Sequence, residues 1–106
     1  MIADPKEPNR LPGLVAALED ADVALISVRR RAPTPAQRRA LRGFLRRGGG
    51  LDGIRTASHA FDAKGVIPKG HEVWRTFDRD VLGCHYRGHH GNKLATRAWI
   101  DLENSK

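Results

Sequence analysis

The chain has 106 residues, enough for one small domain with a single core. It is 40% hydrophobic and 29% charged, carries a formal net charge of +7 and contains one cysteine, Cys84. A lone cysteine excludes an internal disulfide framework, and no apolar run approaches the roughly 18–20 residues that span a bilayer. The opening MIADPKEPNR has no apolar signal-peptide core. A soluble cytoplasmic protein is therefore the default expectation, one that lapses if the natural N-terminus lies upstream.

The excess charge is local. Eight arginines and no acid lie between Arg29 and Arg47, one more positive charge than the chain carries in total, so the remainder is close to neutral. No zinc-finger spacing, RNA-binding aromatic motif or helix-turn-helix pattern accompanies them. The basic stretch is read as a solvated helix face, and nucleic-acid binding is the less favoured use of it.

In chain order, Asp4-Pro5 and Glu7-Pro8 predict an extended lead-in. Leu11 to Ala21 predicts a short helix with Pro12 in its first turn and Leu14, Val15 and Leu18 on one face. Val23 to Val28 is a continuous apolar run without alternation, which predicts a strand covered on both faces in a parallel sheet. Arg29-Arg30-Arg31 follows at its carboxyl end.

Thr34-Pro35 then signals a helix start that runs to about Arg47, with Ala36, Ala40, Leu41, Phe44 and Leu45 inward. Gly48-Gly49-Gly50 ends it. Leu51 to Arg55 predicts a second strand. Trp74 to Leu82 predicts a helical turn or two, with Trp74, Phe77, Val81 and Leu82 inward. Leu94 to Ile100 alternates as a third strand. Helix alternating with strand over short connections predicts an α/β fold with a mainly parallel sheet. Three strands are few for a doubly wound sheet.

Ligands in open α/β sheets bind beyond the carboxyl ends of the strands. Two such ends are Arg29-Arg30-Arg31 and the stretch Arg55 to His59, which border one crevice if the strands are neighbours. The arginines have two readings: bidentate recognition of a carboxylate or phosphate, or simple pairing with Asp78, Asp80 or Glu72. Ser58-His59 presents nucleophile and base types side by side. Adjacent residues usually point apart, however, and the GxSxG elbow is missing, so His59 is the better candidate acid or base and Ser58 the weaker. His85, His89 and His90 are metal-ligand types, but no framing motif accompanies them. A polar loop closing the crevice together with Asn92 is the preferred reading, without a metal or other cofactor.

DPKEPNRLPGL, DADVALISVRRR, GIRTASHAF, FDRDVLG and GHHGN, taken in order, resemble the ThuA-like (trehalose-utilisation) family of the class I glutamine amidotransferase-like superfamily. The resemblance runs from about Asp4 to Asn104. It implies a flavodoxin-like three-layer α/β sandwich, of which this chain would lack the first strand and helix and the C-terminal half. It also implies a link to carbohydrate metabolism. Gly53-Ile54-Arg55-Thr56-Ala57 falls where the amidotransferases have the turn Gly-x-Cys-x-Gly, which puts Arg55 at the nucleophile position. Arginine cannot serve as a nucleophile at neutral pH, so glutaminase chemistry is not expected.

The resulting expectation is a domain that binds a small polar molecule, such as a sugar derivative. Arg29, Arg30, Arg55, Thr56, Ser58 and His59 would line the crevice, and His85, His89, His90 and Asn92 would close it. A non-catalytic interaction module, self-associating or not, is the alternative.

Overall fold

The computed structural model describes residues 5–91 together with Lys93, Ala95 and Arg97. Its regular elements are α1 (Leu14–Asp20), β1 (Val23–Ile26), α2 (Pro35–Arg46) and β2 (Gly50–Gly53). They are followed by a 3₁₀ turn at Arg55–His59 and a π-helical turn at Asp78–Leu82. Among the described residues the sheet has two strands, β1 and β2, parallel and in register from Val23 opposite Gly50 to Ile26 opposite Gly53. The α/β character expected from the sequence is present. Most of the expected strand at 94–100 lies outside the described residues, and Ala95 and Arg97, which are described, are not in a strand.

Helix α2 begins as its sequence dictates. Thr34 is extended, its hydroxyl accepts the Gln37 amide, and the Gln37 side chain accepts the Thr34 amide in return. This reciprocal box satisfies two otherwise orphaned donors, while Pro35 occupies a position that needs none. Beyond Arg47 the chain turns through Gly48 at φ +90°. Gly49 is required for a different reason: a β-carbon there would lie 2.4 Å from the Phe44 ring. The helix tail also closes α1, because the Arg47 guanidinium donates to the carbonyls of Leu18 and Glu19, which the end of α1 leaves free. Ala36, expected inward, is exposed, since it lies in the first turn beyond the reach of the core.

One continuous core lies on a single face of the sheet. Leu11, Leu18, Leu41, Phe44, Ala60, Phe61, Trp74 and Phe77 are buried, with Ala24, Ile26, Leu51, Val81 and Leu82 packed against them. Phe77 meets Phe61 and Trp74 edge-on, at ring-centre distances of 4.9 and 5.2 Å. Such edge-on contacts add about 1 kcal/mol to the burial of each ring. Burial along β1 alternates, and Val23 and Leu25 are 68% and 63% exposed. The expectation of a strand covered on both faces is therefore corrected. An apolar run reports side-chain type, whereas coverage depends on what packs there, and both helices pack on the other side.

Two glycines separate packing from propensity. Gly49→Ala is expected to destabilise the protein by about 2 kcal/mol through overpacking against Phe44. Gly43→Ala, on an exposed stretch of α2 with open space around it, is expected to stabilise it by about 0.5–1 kcal/mol. Urea denaturation of the two variants beside the parent measures both.

Candidate functional site

Beyond their last paired residues the strands remain joined. The Ile54 amide donates to the Ile26 carbonyl at 3.0 Å, and the Thr56 hydroxyl donates to the Val28 carbonyl at 3.2 Å. The amides of Arg30 and Arg31 donate to the carbonyls of His59 and Ala60 at 3.1 and 2.6 Å. The segment after β1 is thus bound along the 3₁₀ turn after β2, and the two carboxyl-end segments form one surface, as the sequence suggested for neighbouring strands.

Each segment turns sharply at an arginine. Arg30 and Arg55 have φ values of +53° and +54°, the left-handed region that non-glycine residues seldom occupy. At Arg55 the chain leaves extended backbone at Ile54 and enters the 3₁₀ turn. Close packing accompanies the bend: a β-carbon on Gly53 would come within 3.0 Å of the Ala57 β-carbon and 3.2 Å of Leu82. Glycine and alanine are what fit there.

Around this junction lies an open cavity of about 660 Å³, lined by Arg29, Arg30, Arg55, Thr56, Ser58, His59, Tyr86, His89 and His90. Its volume falls within the range of small-molecule sites. Every crevice residue inferred from the sequence is on this lining. Of the four residues expected to close it, His89 and His90 are present. His85 is instead turned toward Asp78, with Nδ1 3.4 Å from Oδ2, and Asn92 lies outside the described residues.

The arginines do not pair with the acids expected. Arg30 reaches Asp62 at 3.1 Å, and that carboxylate is shared with Lys64 at 2.9 Å and Arg75 at 3.9 Å. Glu72 pairs with Arg38 at 3.3 Å, Asp80 accepts from Thr76 and Trp74, and Asp78 holds backbone amides. Arg29 and Arg55 are exposed and have no carboxylate partner among the described residues.

Ser58 and His59 differ from the sequence argument. On the tight 3₁₀ turn these neighbours do meet, with Ser58 Oγ and His59 Nδ1 hydrogen bonded at 3.2 Å. His59 is held below the ordinary imidazole pKa by burial and by the positive charges of Arg30 and Arg29, and Asp62 only partly opposes them. A neutral imidazole beside a hydroxyl is suited to accepting a proton or a hydrogen bond.

Tyr86 is the site residue that sequence reasoning missed. Its ring lies 4.7 Å from the His59 ring, centre to centre, and its hydroxyl shares a 2.5 Å hydrogen bond with His89 Nδ1. The available signal was that this is the chain's lone tyrosine, set inside a polar loop. Asp78 anchors that loop. Only 4% exposed, it accepts the amides of Tyr86 and Arg79, each at 2.8 Å. Burial alone would raise its pKa, but those amides and His85 outweigh burial and lower it.

Among the described residues no three His, Cys, Asp or Glu side chains gather as a metal site, and Cys84 is exposed. A second depression of about 640 Å³ lies under the lead-in. The polar side chains of its Asn9, Gln37 and His71 already bond within the fold. The chain matches no protein-family model, no curated protein and no solved structure.

His59 is expected to titrate below the usual imidazole midpoint when followed by NMR of its ring protons, and Arg30→Ala to raise that midpoint. Asp78 and His59 both bind protons less readily folded than unfolded, so both favour folding at neutral pH and lose that contribution on acidification. For Asp78 the loss falls below the ordinary carboxylate range, because its folded pKa is depressed. Asp78→Asn is expected to cost about 2 kcal/mol at neutral pH and to flatten the acid limb of the stability curve. Chemical denaturation across pH measures this.

Proposed function

We propose that this chain is a ThuA-like domain protein that binds a small polar molecule, related to a sugar, beyond the carboxyl ends of its parallel strands. The observation that carries the proposal is the convergence of both strand-end segments on one cavity of ligand size, with hydrogen-bonding side chains directed into it. A parallel β1–α2–β2 unit with a sharp turn after β2 is compatible with the flavodoxin-like three-layer sandwich of that family. Amidotransferase-like folds place their functional turn after such a strand, and here that turn carries Arg55 with left-handed backbone. Arginine positions a ligand and does not attack it, so ligand binding is favoured over glutaminase chemistry. His59 is the residue proposed to act as acid or base if the bound molecule is also transformed.

A thermal-shift panel of sugars, sugar acids and polyols tests this reading. At least one member is expected to stabilise the protein, by about 2.7 kcal/mol when present at a hundred times its dissociation constant. His59→Ala is expected to remove that shift while leaving the unliganded melting temperature nearly unchanged. A panel without any stabilising member would sink the proposal.

A second reading, an interaction module with a degenerate site, is favoured by the exposed Val23, Leu25 and Ile54 side chains. It predicts concentration-dependent self-association in light scattering, reduced by Leu25→Lys.

A further inference from the structure

We infer that the ligand of this cavity is an anion, specifically the phosphate monoester of a sugar or polyol, held through Arg29 and Arg55. This rests on the small-ligand reading above and names the chemical class within it. The first ground is charge. Arg29, Arg30 and Arg55 line the cavity, and no carboxylate does. The nearest acid, Asp62, is already divided among Arg30, Lys64 and Arg75. The cavity therefore keeps two arginines with no carboxylate partner among the described residues.

The second ground is geometry. Arg29 lies within the segment after β1 and Arg55 opens the turn after β2, and the hydrogen bonds between those segments hold the two backbones side by side. Two guanidinium forks borne on one hydrogen-bonded junction suit a tetrahedral dianion, which offers several acceptor oxygens for paired N–H donors. Arg55 keeps this position despite left-handed backbone that glycine would adopt without strain.

The third ground is the remainder of the wall. Thr56 uses its hydroxyl hydrogen on Val28 and keeps lone pairs for a ligand hydroxyl. Tyr86 and His59 present adjoining rings, on which the C–H face of a sugar can rest. The wall thus combines a cationic end with a less polar ring surface, as a phosphorylated sugar does in reverse.

Glucose 6-phosphate, glucose, inorganic phosphate and a single-stranded oligonucleotide, each titrated into the full chain and followed by amide NMR and calorimetry, test the inference. The ester is expected to bind at the cavity amides and inorganic phosphate to bind there more weakly. Raising NaCl from about 0.05 to 0.5 M is expected to weaken the ester markedly, because its contacts are ionic and exposed. Arg55→Gln is expected to weaken the ester about tenfold, the effect of losing one charge-assisted pair. Arg55→Lys is expected to recover part of that loss, and Arg46→Gln, on the exposed face of α2, to change nothing.

Glucose binding as tightly as the ester, with both insensitive to Arg55→Gln, would overturn the anion inference and leave the polar-ligand reading standing. If the ester, phosphate and glucose all leave the cavity amides unmoved, the inference and that reading both fail. Tighter binding of the oligonucleotide that survives Arg55→Gln but is lost on neutralising Arg39 and Arg46 would also overturn the inference, in favour of the basic helix.

Discussion

The structure depends on the hydrogen-bonded seam that continues the β1–β2 pair past its last strand residues. Four paired residues are a short sheet, and a two-stranded pair is marginal without a packed face. The seam adds the Ile54–Ile26, Thr56–Val28, Arg30–His59 and Arg31–Ala60 hydrogen bonds. It thereby fixes the 3₁₀ turn that delivers Ala57, Ala60 and Phe61 to the core. The same bonds hold Arg29, Arg30, Arg55 and His59 around one cavity. Fold and site share this junction, so weakening it would affect both.

The arginines of α2 show why net charge is a poor guide to function. Arg38 pairs with Glu72, and Arg38 and Arg42 both lie over the Trp74 ring, at 5.1 and 4.7 Å from its centre. Arg47 closes the end of α1 and lies over Phe44. These side chains cover aromatic surface with their stems and satisfy orphaned carbonyls with their heads. At the strand ends Arg30 is likewise committed to Asp62, whereas Arg29 and Arg55 have no carboxylate partner among the described residues. The described helices include none long and apolar enough to cross a membrane.

Most local elements were legible in the sequence because local interactions set them. The Thr34–Gln37 box and Pro35 start α2, and Gly48 releases it, so its limits fall where the sequence placed them. β2 was placed slightly late, and α1 and β1 slightly long, because side-chain type does not mark where regular backbone pairing begins and ends. The lining residues Arg29, Arg30, Arg55, Thr56, Ser58 and His59 were legible from one general rule about strand ends. The roles of Tyr86, Asp62 and Asp78 were not. Nothing in FDRDVLG distinguishes the aspartate that is buried from the one two residues later that is exposed.

The sequence alone determined the order of helix and strand, the parallel pairing that a helical crossover demands, and the chemistry available at the strand ends. Capping, turn formation and periodicity act over a few residues and are written in neighbouring side chains. Tertiary structure decided which face of β1 is covered, which acids the arginines meet, and that Ser58 touches His59. Those outcomes depend on approaches between segments tens of residues apart, such as Arg30 with Asp62, or on the tightness of one turn. Long-range packing selects among partners that the sequence lists as equivalent.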